Sequence, residues 1–235
     1  MLRGCPGLLT KKGTKAALGC IQIFSSLGVS YNSLARDKTT LPLLLSRSPE
    51  LLFQFITFLS SNSIRMPLDS IGPLLRRAEC LPLLDAVCPT TYNNIINDND
   101  IKINYENMKI AVDVLTYHIG LESVQKVISS HPTVLLFNPY TQIIPVAQYL
   151  SRSVGLYDEE IAKVIESHPL LLSADVVDIQ NVIDYLVSLD VSNDSIVKIF
   201  RAFPSLFLLD VKERIIPVVE YLRSIGIENI ARFIT

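Results

Sequence analysis

Four cations each stand six residues before a proline: Arg76 before Pro82, Lys126 before Pro132, Lys163 before Pro169 and Lys198 before Pro204. Arg232 takes the same place in a last, partial copy, and Leu43 interrupts the series in the first. One Lys or Arg per structural repeat is an arrangement that binds phosphate, because each charge neutralises a backbone phosphate and releases its counterions. Arg47, Arg65 and Arg77 add cations to the N-terminal half. Together Arg47, Arg65, Arg76, Arg77, Lys126, Lys163, Lys198 and Arg232 are the candidate contacts for a nucleic-acid backbone.

The same ladder has a second explanation. An acid lies four residues before each of the last four cations, at Glu122, Glu159, Asp194 and Glu228. Acid-before-base pairs at that spacing stabilise a helix by about 0.2 to 0.5 kcal/mol without any ligand. From Gly120 onward there are 9 Lys+Arg against 14 Asp+Glu, a balance that opposes the approach of a polyanion. Residues 1–119 carry 12 Lys+Arg against 9 Asp+Glu, so the N-terminal half is the more favourable side for RNA or DNA. Arg152 and Arg223 lie near helix C-termini, where a cation complements the helix dipole.

Other chemistry finds little material. His131 and His168 share a repeat position with Phe203, which assigns them to packing, and His118 stands alone. The four cysteines form no CxxC pair and have no histidines at metal-ligand spacing. No Ser-His-Asp set, HExxH or phosphate-cradling Gly-rich loop occurs. The sequence therefore predicts no catalytic residue, no cofactor, no metal site and no small-molecule substrate. No apolar run reaches membrane-spanning length, since even Leu51 to Leu59 contains Gln54 and Thr57, and no membrane partner is expected.

The elements that must position these residues repeat about every 36 residues from Gly120 onward. His131 to Leu156, His168 to Val191 and Phe203 to Ile227 align column by column, with tyrosines at 149, 185 and 221 and then Gly155, Asp190 or Gly226. Such a unit cannot bury its apolar face until a neighbour stacks on it, which predicts an all-α helical-repeat solenoid. Within a unit the proline ends a first helix, A, because it lacks an amide donor and forces the preceding residue out of helical geometry. In one copy Ile161, Val164, Ile165 and His168 form the inward face of helix A. The leucines after the proline predict a short 3₁₀ turn. Asn138, Asp175 and Asp210 are placed to cap a second helix, B, and Asp210 with Glu213 has the capping-box form. Helix B repeats four apolar columns: Ile143/Ile179/Ile215, Val146/Val182/Val218, Ala147/Ile183/Val219 and Leu150/Leu186/Leu222. Pro145 and Pro217 share a further column, where they must bend the helix or delay its regular part.

Residues 23–87 carry the pattern in degraded form, residues 88–104 read as a loop insertion rich in Asn and Asp, and residues 105–235 hold the regular repeats. Ile230, Phe233 and Ile234 form a cap or an exposed edge. Arg3, Lys11, Lys12, Lys15 and Arg36 occur before any acidic residue. Residues 1–22 thus read as an organelle transit segment, or as a basic first half-repeat that stays in the mature protein.

The combination of helix A, Phe-Pro or His-Pro, leucines, a capped helix B with an internal proline, Tyr-Leu and apolar-Gly-apolar resembles the mitochondrial transcription termination factor (mTERF) repeat family. Ile196–Ile227 is the clearest copy, Val114–Ser195 is good, and Leu27–Asp85 is recognisable. The resemblance implies a left-handed superhelix of two helices and a 3₁₀ turn per unit. It also implies a mitochondrial location, or alternatively a plastid one, and binding of RNA or double-stranded DNA in transcription, RNA processing or ribosome assembly. The alternative function is a protein-binding scaffold, such as a structural component of a mitochondrial ribosome or a partner of an RNA-modifying enzyme, whose partners are ribosomal or other organellar proteins.

Overall fold

Prolines and side-chain caps divide the chain as their chemistry requires. The computed structural model describes residue 8 and residues 10–36, 40–88 and 98–234, and every regular element among them is helical. In order these are α1 (Lys11–Ser26), α2 (Tyr31–Arg36), α3 (Leu41–Leu45), α4 (Pro49–Leu59), α5 (Leu68–Leu75), α6 (Leu81–Val87) and α7 (Asp98–Asp113). They continue with α8 (Val124–Ser130), α9 (Ile144–Tyr149), α10 (Asp158–Ser167), α11 (Val176–Ser188), α12 (Asn193–Ala202), α13 (Ile216–Ser224) and α14 (Ile230–Ile234). The chain forms two compact units, Met1–Val112 with Ile128–Leu136, and Asp113–Val127 with Phe137–Thr235.

In the first unit α1 packs on α3 and α4, α4 packs on α6, and α6 packs on the 3₁₀ turn Pro132–Leu136. Phe24, Leu52, Phe55, Leu59, Ile71, Leu75, Leu83 and Leu84 are fully buried there. Residues 11–22, expected as part of a transit segment, form most of α1, and Ala16 and Cys20 join Phe24 in the core. From Lys11 on, the basic segment is helical and packs on α3 and α4. The expected insertion needs correction at its far end. Residues 89–97 lie outside the described residues, but α7 starts at Asp98, so 98–104 are helical. Ile101, Met108, Ala111 and Val112 supply its buried stripe, and Asn104 Nδ2 donates to the Ala86 carbonyl at 2.8 Å. Polar residues that resemble a loop in composition here occupy the solvent face of a helix.

In the second unit like stacks on like: α10 on α12, α11 on α9, and the 3₁₀ turn Pro169–Ser173 on the 3₁₀ turn Pro204–Leu208. This is the stacking a repeat solenoid requires. Helices α10 and α12 stop at His168 and Phe203, whose backbones at φ −138°, ψ 70° and φ −139°, ψ 62° lie outside the helical region ahead of proline. Asn138 accepts from the amides of Tyr140 and Thr141, Asp175 from Val177, and Asp210 from Glu213. All three are the caps expected of helix B.

The two helix B prolines show how the delay is made. Before α9 and α13 the chain winds as π-helical turns, Pro139–Ile143 and Val211–Ile215, so that Pro145 and Pro217 enter the second position of a regular helix. Asn181 holds this column in α11, which runs unbroken from its cap. The wide turn inserts one residue: five positions separate cap and first buried isoleucine in Asn138 to Ile143 and Asp210 to Ile215, but four in Asp175 to Ile179. That extra residue relieves the clash between a proline ring and the carbonyl four residues back. Each repeat ends on a left-handed residue, at φ +74° in Gly28 and Gly120, +84° in Gly155, +64° in Asp190 and +92° in Gly226. Arg65, at φ +58°, does the same after α4, and the next residue, Met66, is buried as Val29, Leu121, Leu156 and Val191 are.

Candidate nucleic-acid interface

The N-terminal arginines are where structure and expectation part. Arg47 is 1% exposed: its Nη1 is 2.5 Å from Asp85 Oδ1 and donates to the Cys88 carbonyl at 3.0 Å, and its Nε donates to the Leu43 carbonyl at 3.1 Å. A guanidinium so enclosed is out of reach of a phosphate in solvent. Arg76 lies at the C-terminal cap of α5, not on its solvent face, and donates to the Ser33 hydroxyl at 2.7 Å and the Ser33 carbonyl at 2.9 Å. Arg77 donates to the carbonyls of Ser129 at 2.5 Å and Ser130 at 2.9 Å, capping the end of α8, and pairs with Glu79. Of these three expected phosphate contacts, Arg47 is enclosed by the protein, and Arg76 and Arg77, half-buried, already hold protein acceptors. In each case a buried or terminal carbonyl needs a partner more than solvent needs a charge. Arg65 stays exposed, with its Nε on the Asn62 carbonyl at 3.0 Å.

In the second unit the ladder has the opposite character. Lys126, Lys163 and Lys198 are exposed on α8, α10 and α12, and Arg232 is exposed on α14. None of them makes an ion pair among the described residues. The i, i+4 acids do not reach them. Glu122 and Glu228 precede their helices, so the spacing along a helix face does not apply, and Glu159 and Asp194 sit in first turns. A carboxylate in a first turn is drawn to the free amides and the positive end of the dipole. Glu160 illustrates this by accepting from the Tyr157 amide at 3.0 Å. It also reaches across to Arg201 at 2.7 Å, tying α10 to α12.

The column shared by His131, His168 and Phe203, expected to pack, does so only in part. Phe203 is 67% exposed and both histidines are half-buried. Cys20, Cys80 and Cys88 are buried free thiols, and burial pushes each of them up to about 12, so they stay protonated near neutral pH.

Lys11, Lys12 and Lys15 were absent from the expected contacts. All three are exposed on α1, without an ion pair among the described residues. The available signal was three lysines with no acid in one amphipathic segment, which fits a transit sequence equally well.

Comparison with known proteins supplies the family. A search of curated proteins returns no match, whereas the mTERF family model matches residues 112–234, more than half of the chain. Members of this family are in general organellar, non-enzymatic proteins that bind nucleic acid. With its caps, 3₁₀ turns, proline-delayed helices and stacked repeats, the chain belongs to the mTERF family.

Proposed function

We propose that the protein is a non-enzymatic factor of mitochondrial gene expression that binds RNA or double-stranded DNA through Lys126, Lys163, Lys198 and Arg232. The observation that carries this reading is that the four cations recur at one repeat position, are exposed, and lack ion-pair partners among the described residues. Packed helices have axes about 8 to 10 Å apart, so successive rungs would be met about every three nucleotides of a strand rising 3.4 Å each. The test is a salt series on the wild type and on Lys126→Ala/Lys163→Ala/Lys198→Ala. Wild-type affinity should fall steeply with salt, and the triple substitution should reduce the slope of log K against log salt by about 2 to 3. Wild-type binding that is indifferent to salt would overturn the reading.

A second reading is a protein-binding scaffold, favoured by apolar side chains in solvent. Phe203, Leu209, Val218 and Tyr221 are all exposed on the second unit, whose charge is predominantly acidic. Salt-indifferent association with an organellar protein, surviving nuclease treatment, would favour this alternative.

A further inference from the structure

We propose that Lys12 and Lys15, with Lys11 exposed beside them, form the phosphate-binding wall of a groove between α1 and the start of α4 that takes a short single-stranded stretch of nucleic acid. This rests on the nucleic-acid reading above but uses a surface in the other unit. The groove encloses about 690 Å³, with Lys12, Lys15, Leu18 and Gln22 along α1 facing Ser48 and Glu50 at the head of α4.

Three observations converge on it. First, Arg47, Arg76 and Arg77 are committed to carbonyls, hydroxyls and carboxylates of the protein itself, which leaves the lysines of α1 as a concentrated exposed charge of this unit. Second, their placement works against the helix. All three lie in the first turns of α1, whose N-terminus carries partial positive charge, and no acid accompanies them there. Cations placed where they destabilise a helix, with no ion pair among the described residues, are readily explained by an external anion. Third, α1 is held firmly enough to serve as a wall. Ala16, Cys20 and Phe24 are buried, Cys20 Sγ reaches the Arg47 carbonyl at 3.5 Å, and a side chain at Gly19 would meet Pro49 Cγ at 2.6 Å. That close approach sets the two helices side by side and makes the groove.

The wall and floor differ in character, as a single strand requires. Lys12 and Lys15 offer charge to phosphates, while Leu18, more than half exposed, offers an apolar surface to a base and Gln22 offers both a donor and an acceptor. Glu50 is the one acid of the groove. Its carboxylate accepts from its own backbone amide and from the Ser48 hydroxyl at 2.8 Å, which with the weaker attraction of Lys15 hold it below the usual carboxylate range, and it forms no direct ion pair with Lys15.

The experiment measures binding of the full chain to a 12-nucleotide single-stranded RNA and to the corresponding duplex across a salt series, for the wild type and for Lys12→Ala/Lys15→Ala. For the single strand, two lost phosphate contacts should weaken binding about tenfold at low salt and reduce the salt slope by about 1 to 2. Thermal melting should be unchanged or slightly higher, since the substitutions remove charge repelled by the dipole. Single-strand affinity and slope equal to wild type in a folded variant would overturn the proposal. So would a loss seen with the duplex alone. If the triple substitution in the second unit lowers the slope and this one does not, only the groove is wrong. If the wild type binds neither probe, both readings fail.

Discussion

Arg47 shows how a residue with the chemistry of a phosphate ligand becomes a structural one. Its charge is paired with Asp85, which is 61% exposed, but its other donors serve the carbonyls of Leu43 and Cys88 inside the first unit. The two ends of this contact should therefore respond very differently to substitution. Arg47→Met keeps volume while stranding the carbonyls, and should cost about 2 to 4 kcal/mol of stability. Asp85→Asn leaves the guanidinium its carbonyl partners and removes an interaction that solvent already weakens, at a cost below about 1 kcal/mol. Urea unfolding of both variants checks this, and equal losses would mean that the ion pair itself carries the stability. None of this was legible from the N-terminal arginines as residues. Apart from Leu43 and Glu79, the partners of Arg47, Arg76 and Arg77 lie 38 or more residues away, beyond any local pattern. The caps at Asn138, Asp175 and Asp210 were legible because their partners lie two or three residues on.

At the scale of the element, the internal prolines of helix B are tolerated only with an extra residue. Pro145 and Pro217 follow a wide first turn, whereas Asn181 sits in a helix that is regular from its cap onward. Asn181→Pro in α11 should accordingly destabilise the protein by about 3 kcal/mol. Adding one residue between Asp175 and Ile179 in the same variant should restore at least half of that loss, as read by thermal or urea unfolding. A rescue no better than the substitution alone would show that the wide turn is not what accommodates the ring. The column of prolines was visible in the sequence, and so was the one-residue difference in cap spacing. What the pattern left open was whether the helix bends or starts late. The backbone chose the late start because a π-helical turn keeps its hydrogen bonds, with Ile143 donating to the Asn138 carbonyl and Ile215 to that of Asp210.

Across the whole molecule, repeats stabilise one another through nearest-neighbour stacking, so protection should follow how fully each copy is covered. Val146 and Val182 are 1% exposed, whereas Val218 in the same column is 57% exposed, and Tyr221 and Ile225 beside it are also in solvent. Amides of α13 should exchange with deuterium faster than those of α11, and equal protection would show that α13 is stabilised by something other than its neighbour. The sequence by itself determined the repeat, its period, the boundaries of helix A, the caps and most of the inward columns, Val218 being the exception in solvent. These depend on backbone chemistry and on apolar periodicity, which act over a few residues and recur in every copy. Tertiary structure alone decided which cations remain for a ligand. It drew Arg47, Arg76 and Arg77 into the first unit, left Lys126, Lys163 and Lys198 in solvent, and set the lysines of α1 on the exposed face of a helix whose other face is buried. Whether a charge meets water or a carbonyl depends on which distant carbonyls the packing leaves without a partner, and that is a property of the assembled core.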